Sequence, residues 1–317
     1  MITVRPIHAD EIEAFAAIGS DSEEIRSSVR TYVKDMLERG AMRLDWCFVL
    51  EENGNRCGRA AYWTLPGHDK PLDVVLWELP WHREDCLTLA KSLFEDMFVR
   101  LLEHNCTQVG YILDSPSMAP QWQSFPESRQ KILAALGFQL QRETCRFERH
   151  IGIEDTASKG NLTYRTLPEV GEEAFVEAIL QVSQSTGDRY ISRERETKGA
   201  KTQAWEMFRE LQRMDYDQDW WQLAYDVDGQ LVGFVMPTKA PAFATIGYIG
   251  VVPEQRGRGH IDSLLHRVSV ILGAANETYL RADTDIGNTP MAKAFERAGY
   301  RHFANRQEYS LSLRHPG

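Results

Sequence analysis

Three observations in the sequence predict an α/β fold with two domains in tandem. The chain has 317 residues, about twice the usual length of a domain. Its halves repeat the same order of segments at a nearly constant offset, since Arg165 follows Arg5 by 160 positions and Gly299 follows Gly137 by 162. Each half also has one hairpin signal, placed between helical segments. This pattern indicates an internal repeat, although two unrelated α/β domains would share generic strand and turn signals.

The composition is typical of a globular protein with a buried core, with 43% hydrophobic and 26% charged residues. No run of about 18 apolar residues is present, so we expect no membrane span. The first residues lack a basic flank followed by an apolar block, which predicts no signal peptide and a cytoplasmic location. The net charge of −10 is opposite to that of most duplex-binding proteins, so we expect no nucleic-acid partner.

The cysteines are odd in number and form no Cys-x-x-Cys pair. They are Cys47, Cys57, Cys86, Cys106 and Cys145. This spacing disfavours a disulfide framework or a zinc site, so we expect reduced thiols and no metal. We expect these cysteines to be small core residues, and the alternative is that one of them acts as a nucleophile.

In the first half, local patterns predict each element in turn. They are a strand at 3–7, an acidic helix from 10, a hairpin at 46–63, a strand near 73–79, a helix at 90–101, a helix closed by Gly137 and a strand at 139–149. The hairpin is predicted because Asn53-Gly54 separates two apolar runs. Residues 153–161 are polar, small and aperiodic, which predicts a linker between domains at 1–152 and 162–317.

The second half repeats these signals. They are a strand at 163–167, an acidic helix from 172, a hairpin at 221–235 around Asp228-Gly229, a strand at 245–252, a helix from 261, a strand at 278–282, a helix closed by Gly299 and a strand at 301–313. Pro253 cannot donate to a sheet, so it marks a strand end. Glycine just past a helix suits a left-handed C-terminal cap.

The segment between the strand at 245–252 and the next helix predicts an anion site. Gly257 and Gly259 let the backbone approach a ligand, and the first N–H groups of a helix have no internal partners. Arg256 and Arg258 add fork-shaped donors that suit phosphate. A tight strand-to-helix connection is the alternative interpretation of the glycines.

Two common phosphate motifs are absent from this segment. It lacks the Gly-Lys-Ser/Thr ending of a P-loop and the Gly-x-Gly-x-x-Gly of a dinucleotide site. Gly247 and Gly250 lie inside the preceding strand, where glycine often marks a bulge or the close approach of a ligand. We expect a ligand to run along this strand into the glycine loop.

Residues 252–259, Val-Pro-Glu-Gln-Arg-Gly-Arg-Gly, resemble the acetyl-CoA pyrophosphate motif of the GNAT superfamily of N-acetyltransferases. Residues 288–300 are similar to the second segment of that family, which runs from an Asn to a Gly–aromatic pair. The resemblance covers about residues 162–313, and the first half matches only the fold pattern. It implies two tandem GNAT-like domains of the α/β (α+β) class, each a mixed, mostly antiparallel sheet flanked by helices. Mycothiol synthase is a tandem member of this superfamily.

The resemblance also implies cofactor contacts. The backbone of Ile249, Gly250 and Val251 would pair with the pantetheine arm of acetyl-CoA as an added strand. The Asn288 side chain would hydrogen-bond the arm, or would cap the helix that follows it. The pyrophosphate would bind the amides of Arg256, Gly257, Arg258, Gly259, His260 and Ile261.

The catalytic residues are assigned less directly than the cofactor contacts. Phe295 stands where many family members have a proton-donating Tyr, so it would contact the acetyl or thioester region and leave the acid unassigned. An alkylammonium is protonated at neutral pH, so a base is required. The candidates near the strand ends are Asp283, which we rank first, Asp285 and Tyr248. For both aspartates, solvation of a loop is the alternative.

The first half has His82, Arg83 and Glu84 where the second has its glycine loop. We therefore expect a degenerate copy that does not bind acetyl-CoA. The expected function is acetyl-CoA-dependent N-acetyl transfer to a primary amine of a small molecule, by direct attack on the thioester, in the C-terminal domain. The chain is expected to be a monomer or homodimer without a membrane partner. The alternatives are a non-catalytic acyl-CoA-binding or sensing protein and a tRNA-dependent aminoacyl transferase, which the intact loop disfavours.

Overall fold

A computed structural model describes residues 1–152, 161–240 and 243–313. The chain divides into two compact units: unit 1 is Met1–Glu143 with Arg306–Gly317, and unit 2 is Thr144–Asn305. The predicted linker at 153–161 lies, apart from Asn161, outside the described residues. No helix among the described residues combines the length and apolar character needed to cross a bilayer.

Unit 1 contains five complete strands and four helices among its described residues. They are β1 (Ile2–Pro6), α1 (Ile12–Ala17), α2 (Glu23–Glu38), β2 (Cys47–Glu52), β3 (Asn55–Trp63), β4 (Asp73–Glu78), α3 (Cys86–Glu103), β5 (Gln108–Ser115) and α4 (Pro126–Ala135). The first residues of β6 (Gln139–His150) and the last of β12 (Arg301–Ser312) also belong to it. One core lies under α3 and α4, and another lies under α1 and α2.

Unit 2 repeats this order with more helices after its first strand. Its complete elements are β7 (Thr163–Thr166), α5 (Leu167–Val170), α6 (Glu172–Val182), α7 (Arg189–Lys198), α8 (Ala200–Gln212), β8 (Gln222–Tyr225), β9 (Leu231–Ala240), β10 (Phe243–Val251), α9 (His260–Ala274), β11 (Tyr279–Asp285) and α10 (Thr289–Arg297). Side chains of α9 and α10 form the core on one face of its sheet, and those of α6 and α8 form the core on the other.

The two units share one pairing scheme. In unit 1, β1–β2, β2–β3 and β3–β4 pair antiparallel and β4–β5 pair parallel. In unit 2, β7–β8, β8–β9 and β9–β10 pair antiparallel and β10–β11 pair parallel. The predicted mixed, mostly antiparallel sheet in each half is therefore confirmed.

The local predictions hold at the turns and caps. Asn53 and Gly54 both have positive φ (50° and 83°), as a two-residue hairpin turn requires. In the second hairpin, the Asp226 carboxylate accepts from the N–H groups of Asp228 and Gln230 at 3.0 and 2.8 Å. Gly137 and Gly299 follow α4 and α10 with φ of 91° and 82°.

The compact units do not follow a single cut at residue 152. Thr144 to His150 in β6 pair antiparallel with β11 and so lie in unit 2. The end of β12 lies in unit 1, where the Arg306 guanidinium donates twice to the Asp114 carboxylate at 2.8 Å and Leu313 N donates to Thr107 O. Strand β6 thus begins in unit 1 and ends in unit 2, and strand β12 begins in unit 2 and ends in unit 1.

Candidate cofactor site and catalytic face

The two parallel strands of unit 2 separate after a short paired stretch. Among the described residues, β10 pairs with β11 only at Ala244↔Leu280 and Thr245↔Arg281, although both strands continue. On the other edge of β10, the pairing with β9 shifts between Ile246 and Tyr248. The result is a notch beyond Thr245, bounded by the backbone of β10 and β11.

Backbone groups of β10 line this notch. On the β9 side of β10, Val252 N donates to Val232 O of β9 at 2.9 Å. Because backbone groups alternate between the two edges of a strand, those of Ile249 and Val251 point to the notch. Among the described residues, β11 offers them no ladder partner. Apart from Val251 O, which accepts from Arg256 Nε, the edge at Ile249–Val251 can therefore pair with an extended ligand as an added strand.

The glycine loop lies at the end of this edge. Gly257 and Gly259 have φ of 78° and 80°, and a β-carbon on either would have no atom within 4 Å. Helix α9 begins at His260, so the amides at its start have no partners inside the helix. The glycines are thus required by backbone conformation, and the space in front of the loop is open for an anion.

The two loop arginines have different roles. Arg256 donates to three carbonyls: Nη2 to Val182 O at 2.7 Å, Nη1 to Ser185 O at 3.0 Å, and Nε to Val251 O at 3.1 Å. Its side chain therefore fixes the loop and covers the end of α6 with three of its five N–H donors, and its expected role as a phosphate fork stays a prediction. Arg258 is exposed and, among the described residues, donates only from Nη1, to Gln255 Oε1 at 2.9 Å. Arg258 therefore has more donors left for an anion than Arg256 has.

His260 and Ile261 start α9. Ile261 is partly buried against the core under this helix, so its side chain anchors the helix start. The predicted contacts of the loop amides with a pyrophosphate remain predictions.

The strand glycines are explained by packing within the protein. A β-carbon on Gly250 would lie 2.2 Å from Val182 Cγ1. One on Gly247 would lie 2.8 Å from Leu211 Cδ2 and 2.9 Å from Met236 O. Packing against α6, α8 and β9 is therefore sufficient to explain these glycines, and the expectation that a ligand accounts for them stays a prediction.

The turn between β11 and α10 lies in the same unit. Asn288 precedes α10 but makes no side-chain cap, so its alternative role as a capping residue is not observed. Its Oδ1 is 2.9 Å from the position of a β-carbon on Gly187. The buried Asp285 carboxylate accepts from Gly287 N at 2.8 Å and Arg189 N at 3.3 Å. Asp285 therefore joins two loops, and this role disfavours it as a base.

The candidate catalytic residues divide between the two faces of the sheet. Tyr248 packs with the core under α6 and α8. Asp283 is on that face as well, because its neighbour Ala282 belongs to the core under α9 and α10. Phe295 lies on the α9–α10 face, 1% exposed, with its ring centroid 5.1 Å from those of Phe147 and Tyr300. In this structure Phe295 is a core residue, and its contact with a cofactor remains a prediction.

Tyr248 follows the shift in pairing on β10. Its hydroxyl is buried and has no hydrogen-bond partner among the described residues. Burial, and then the nearby Asp188 carboxylate, raise the pKa of this phenol well above its usual range. A phenol with a raised pKa keeps its proton at neutral pH and is unsuited to act as a base. The structure thus disfavours the base role of Tyr248, and the acid stays unassigned at this point.

Asp283 lies on the diverging part of β11. Its Oδ1 is 3.5 Å from Nε of the buried Arg146, which is its register partner on β6. The Asp283 side chain is 39% exposed. A charged, accessible carboxylate can accept a proton from an ammonium group, directly or through water.

The equivalent notch in unit 1 is filled by its own chain. Strands β4 and β5 pair only through Asp73↔Gly110 and Val74↔Tyr111. Leu76 N on β4 donates to Gln121 Oε1 at 2.7 Å, and Asp114 N on β5 donates to Gln123 Oε1 at 3.0 Å. The two glutamines take the places of a neighbouring strand. Sequence analysis missed them, since nothing local distinguishes these residues from other loop glutamines.

The cysteines offer no reactive thiolate. All five are free, and burial raises the pKa of each thiol, that of Cys47 to about 12. Because the thiolate is the nucleophile, these environments disfavour the alternative of a catalytic cysteine.

Comparisons with known proteins agree with this geometry. A model of the acetyltransferase (GNAT) family matches residues 187–300, which include β10, the glycine loop, α9, β11 and α10. The structure of a GCN5-related N-acetyltransferase from Sphaerobacter thermophilus is 16% identical, with 99% of this chain and 96% of that chain covered and a TM-score of 0.57. A functionally unknown conserved protein from Staphylococcus epidermidis is 13% identical, with 80% and 91% covered and a TM-score of 0.51. Residues 187–300 therefore match the acetyltransferase (GNAT) family, and the chain has the fold of a GCN5-related N-acetyltransferase, with one pairing scheme repeated in its two units.

Proposed function

We propose that unit 2 transfers an acetyl group from acetyl-CoA to a primary amine of a small molecule. The observation that carries this proposal is the continuous path from the open edge of β10 to the glycine loop at the start of α9. The edge at Ile249–Val251 suits the amide groups of a pantetheine arm. The loop, with Arg258, suits a pyrophosphate. Acetyl-CoA supplies the acetyl group as an activated thioester.

The residues on the opposite face from α9 provide the proton transfers. Asp283 accepts a proton from the ammonium group, so that the neutral amine can attack. Tyr248 donates its phenol proton to the sulfur as the carbon–sulfur bond breaks. Because the Tyr248 hydroxyl has no partner among the described residues, its proton is not engaged elsewhere and can serve the role that Phe295 cannot.

Unit 1 does not bind the cofactor in this proposal. The backbone groups at Leu76 and Asp114 that would receive a pantetheine arm already bond Gln121 and Gln123. A ligand would have to displace two buried amide contacts, which costs free energy that an open edge does not. One acetyl-CoA per chain is expected.

Calorimetric titration of acetyl-CoA into the full chain and into Arg258→Glu tests the cofactor site. The carboxylate would face the pyrophosphate, so we expect affinity to fall about tenfold or more. Lys201→Glu is the matched control: it makes the same charge change at the start of α8 and is expected to bind normally. Unchanged affinity in Arg258→Glu, or no binding by the wild-type chain, would contradict the proposal.

A non-catalytic acyl-CoA sensor is the second candidate, favoured by the aromatic core residue Phe295 at the position where many relatives have a proton donor. Release of free CoA thiol in the presence of a panel of primary amines distinguishes the two. Amine-dependent release supports the transferase. Tight binding of acetyl-CoA without release for any amine supports the sensor.

A further inference from the structure

An arginine on the catalytic face has donors that no protein group uses. Arg281 lies on β11 at the last paired position before the notch. Its Nε donates to the Tyr279 hydroxyl at 2.9 Å. Among the described residues, its two terminal nitrogens have no hydrogen-bond partner, and no carboxylate lies within ion-pair distance of them.

Aromatic rings hold this guanidinium in place. Its central carbon lies 4.4 Å from the ring centroid of Phe243, 5.0 Å from that of Phe303 and 5.4 Å from that of Tyr279. Rings pack against the flat face of a guanidinium and leave its in-plane N–H groups free. The half-buried Arg281 is thus fixed with one edge bonded to Tyr279 and the other edge available.

The charges around Arg281 leave one positive charge over. Arg146 is paired with Asp283, and Arg301 is paired with Glu148, whose other oxygen accepts from Tyr279. Glu148, the register partner of Arg281 on β6, interacts with it electrostatically but forms its ion pair with Arg301, so Arg281 has no carboxylate of its own among the described residues. The three arginines and two carboxylates together carry a net charge of +1. One monoanion neutralises this charge, whereas a dianion would make the total negative. A carboxylate also matches the two parallel N–H groups of a guanidinium edge.

The position of Arg281 relative to Asp283 then defines a substrate. The two residues are separated by one position on β11, so their side chains point to the same face, about 6.6 Å apart along the strand. Tyr248 lies on that face too. We propose that the acceptor is an amine that also carries a carboxylate, with the carboxylate bound by Arg281 and the ammonium group directed to Asp283. This rests on the proposed function of unit 2.

Binding of γ-aminobutyrate and of γ-aminobutyramide tests the proposal without requiring turnover. The two compounds share the ammonium group, and the second has an uncharged carboxamide in place of the carboxylate. Each is titrated by calorimetry into the full chain saturated with CoA. We expect the carboxylate to bind about tenfold or more tightly than the amide, since a charge-assisted bidentate pair is lost with the amide. In Arg281→Met, which keeps an unbranched side chain between Phe243 and Phe303, this difference should vanish.

Arg209→Met is the matched control. Arg209 also stacks on an aromatic ring, 5.4 Å from the centroid of Trp205, but it is exposed on α8. The control should keep the preference for the carboxylate, and the unfolding midpoints of both variants report on folding. Equal affinity for the two compounds, a preference that survives in Arg281→Met, or no measurable binding of either compound overturns the proposal.

Acetyl transfer is measured separately, as CoA release with the same two amines. A carboxylate preference in binding without any release would uphold the carboxylate site and contradict the transferase function. Release of CoA at equal rates with both amines would support the transferase function and contradict the carboxylate site. The two hypotheses therefore fail in different measurements.

Discussion

Gly250 and Val182 approach each other so closely that no side chain fits between them: a β-carbon on Gly250 would lie 2.2 Å from Val182 Cγ1. Strand β10 thus packs directly on the end of α6. Arg256 reinforces the same junction by donating to the carbonyl of Val182. The edge of β10 that faces the notch is held in place by this contact.

Gly250→Ala should therefore destabilise the protein by about 1–3 kcal/mol, because overpacking forces the helix and strand apart. Val182→Ala in the same chain should recover part of the loss, which a double-mutant cycle in urea would measure. A Gly250→Ala variant that is fully stable but no longer binds acetyl-CoA would show instead that the glycine serves the ligand.

Tyr248→Phe removes a buried hydroxyl that lacks a protein partner. We expect kcat for amine acetylation to fall about 10²-fold or more, with unchanged affinity for acetyl-CoA. The free energy of unfolding should stay the same or rise slightly, because the variant loses a buried hydroxyl that has no partner among the described residues. Tyr216→Phe, at a ring stacked on Trp221, is the control. Equal kcat in both variants would exclude Tyr248 as the proton donor.

Asp283→Asn should lower kcat/KM about 10²-fold or more at neutral pH, since the ammonium group loses its base. As the pH approaches the amine pKa, about 10, the neutral amine becomes abundant and the variant should approach the wild type. Asp35→Asn, in an exposed ion pair with Arg39, controls for the loss of an aspartate charge. A constant ratio of variant to wild type across pH would argue against a base role.

Gln123→Leu tests the filled notch of unit 1. The change leaves Asp114 N and Ile112 O without their partner, so we expect a loss of about 2–4 kcal/mol in unfolding free energy. Gln141→Leu, at an exposed position on β6, should have little effect. The wild-type chain should bind one acetyl-CoA in calorimetry, and two sites of similar affinity would show that unit 1 retains a functional notch.

Asp73 gives unit 1 a pH-dependent stability. Burial, and then the nearby Glu308, raise the pKa of this carboxyl to about 6 in the folded state. A carboxyl with a raised folded pKa stabilises the fold while protonated, so its contribution is lost as the pH rises from about 4 to about 6. Asp73→Asn should reduce that loss by about 2 kcal/mol, measured as urea unfolding free energies at pH 4.5 and 7. An unchanged pH profile would refute the assignment.

Local sequence patterns were sufficient for much of the fold. Asn53-Gly54 and Asp228-Gly229 predicted the two hairpins, and Gly137 and Gly299 predicted helix ends. These features depend on backbone conformations that a few adjacent residues decide. The glycine loop and the amphipathic face of α9 are likewise determined within a short segment.

Long-range packing decided the rest. The sequence could not show that residues 144–150 join β11, that Arg256 binds carbonyls of α6, or that Val182 explains Gly250. Nor could it distinguish Gln121 and Gln123 from other glutamines, or reveal that Arg281 is stacked between rings with free donors. Most of these depend on partners separated by tens of residues or more, and all of them depend on contacts that only the assembled sheet and its packed helices bring about. The sequence alone determined the elements and the glycine loop, and the tertiary structure decided which side chains remain available for chemistry.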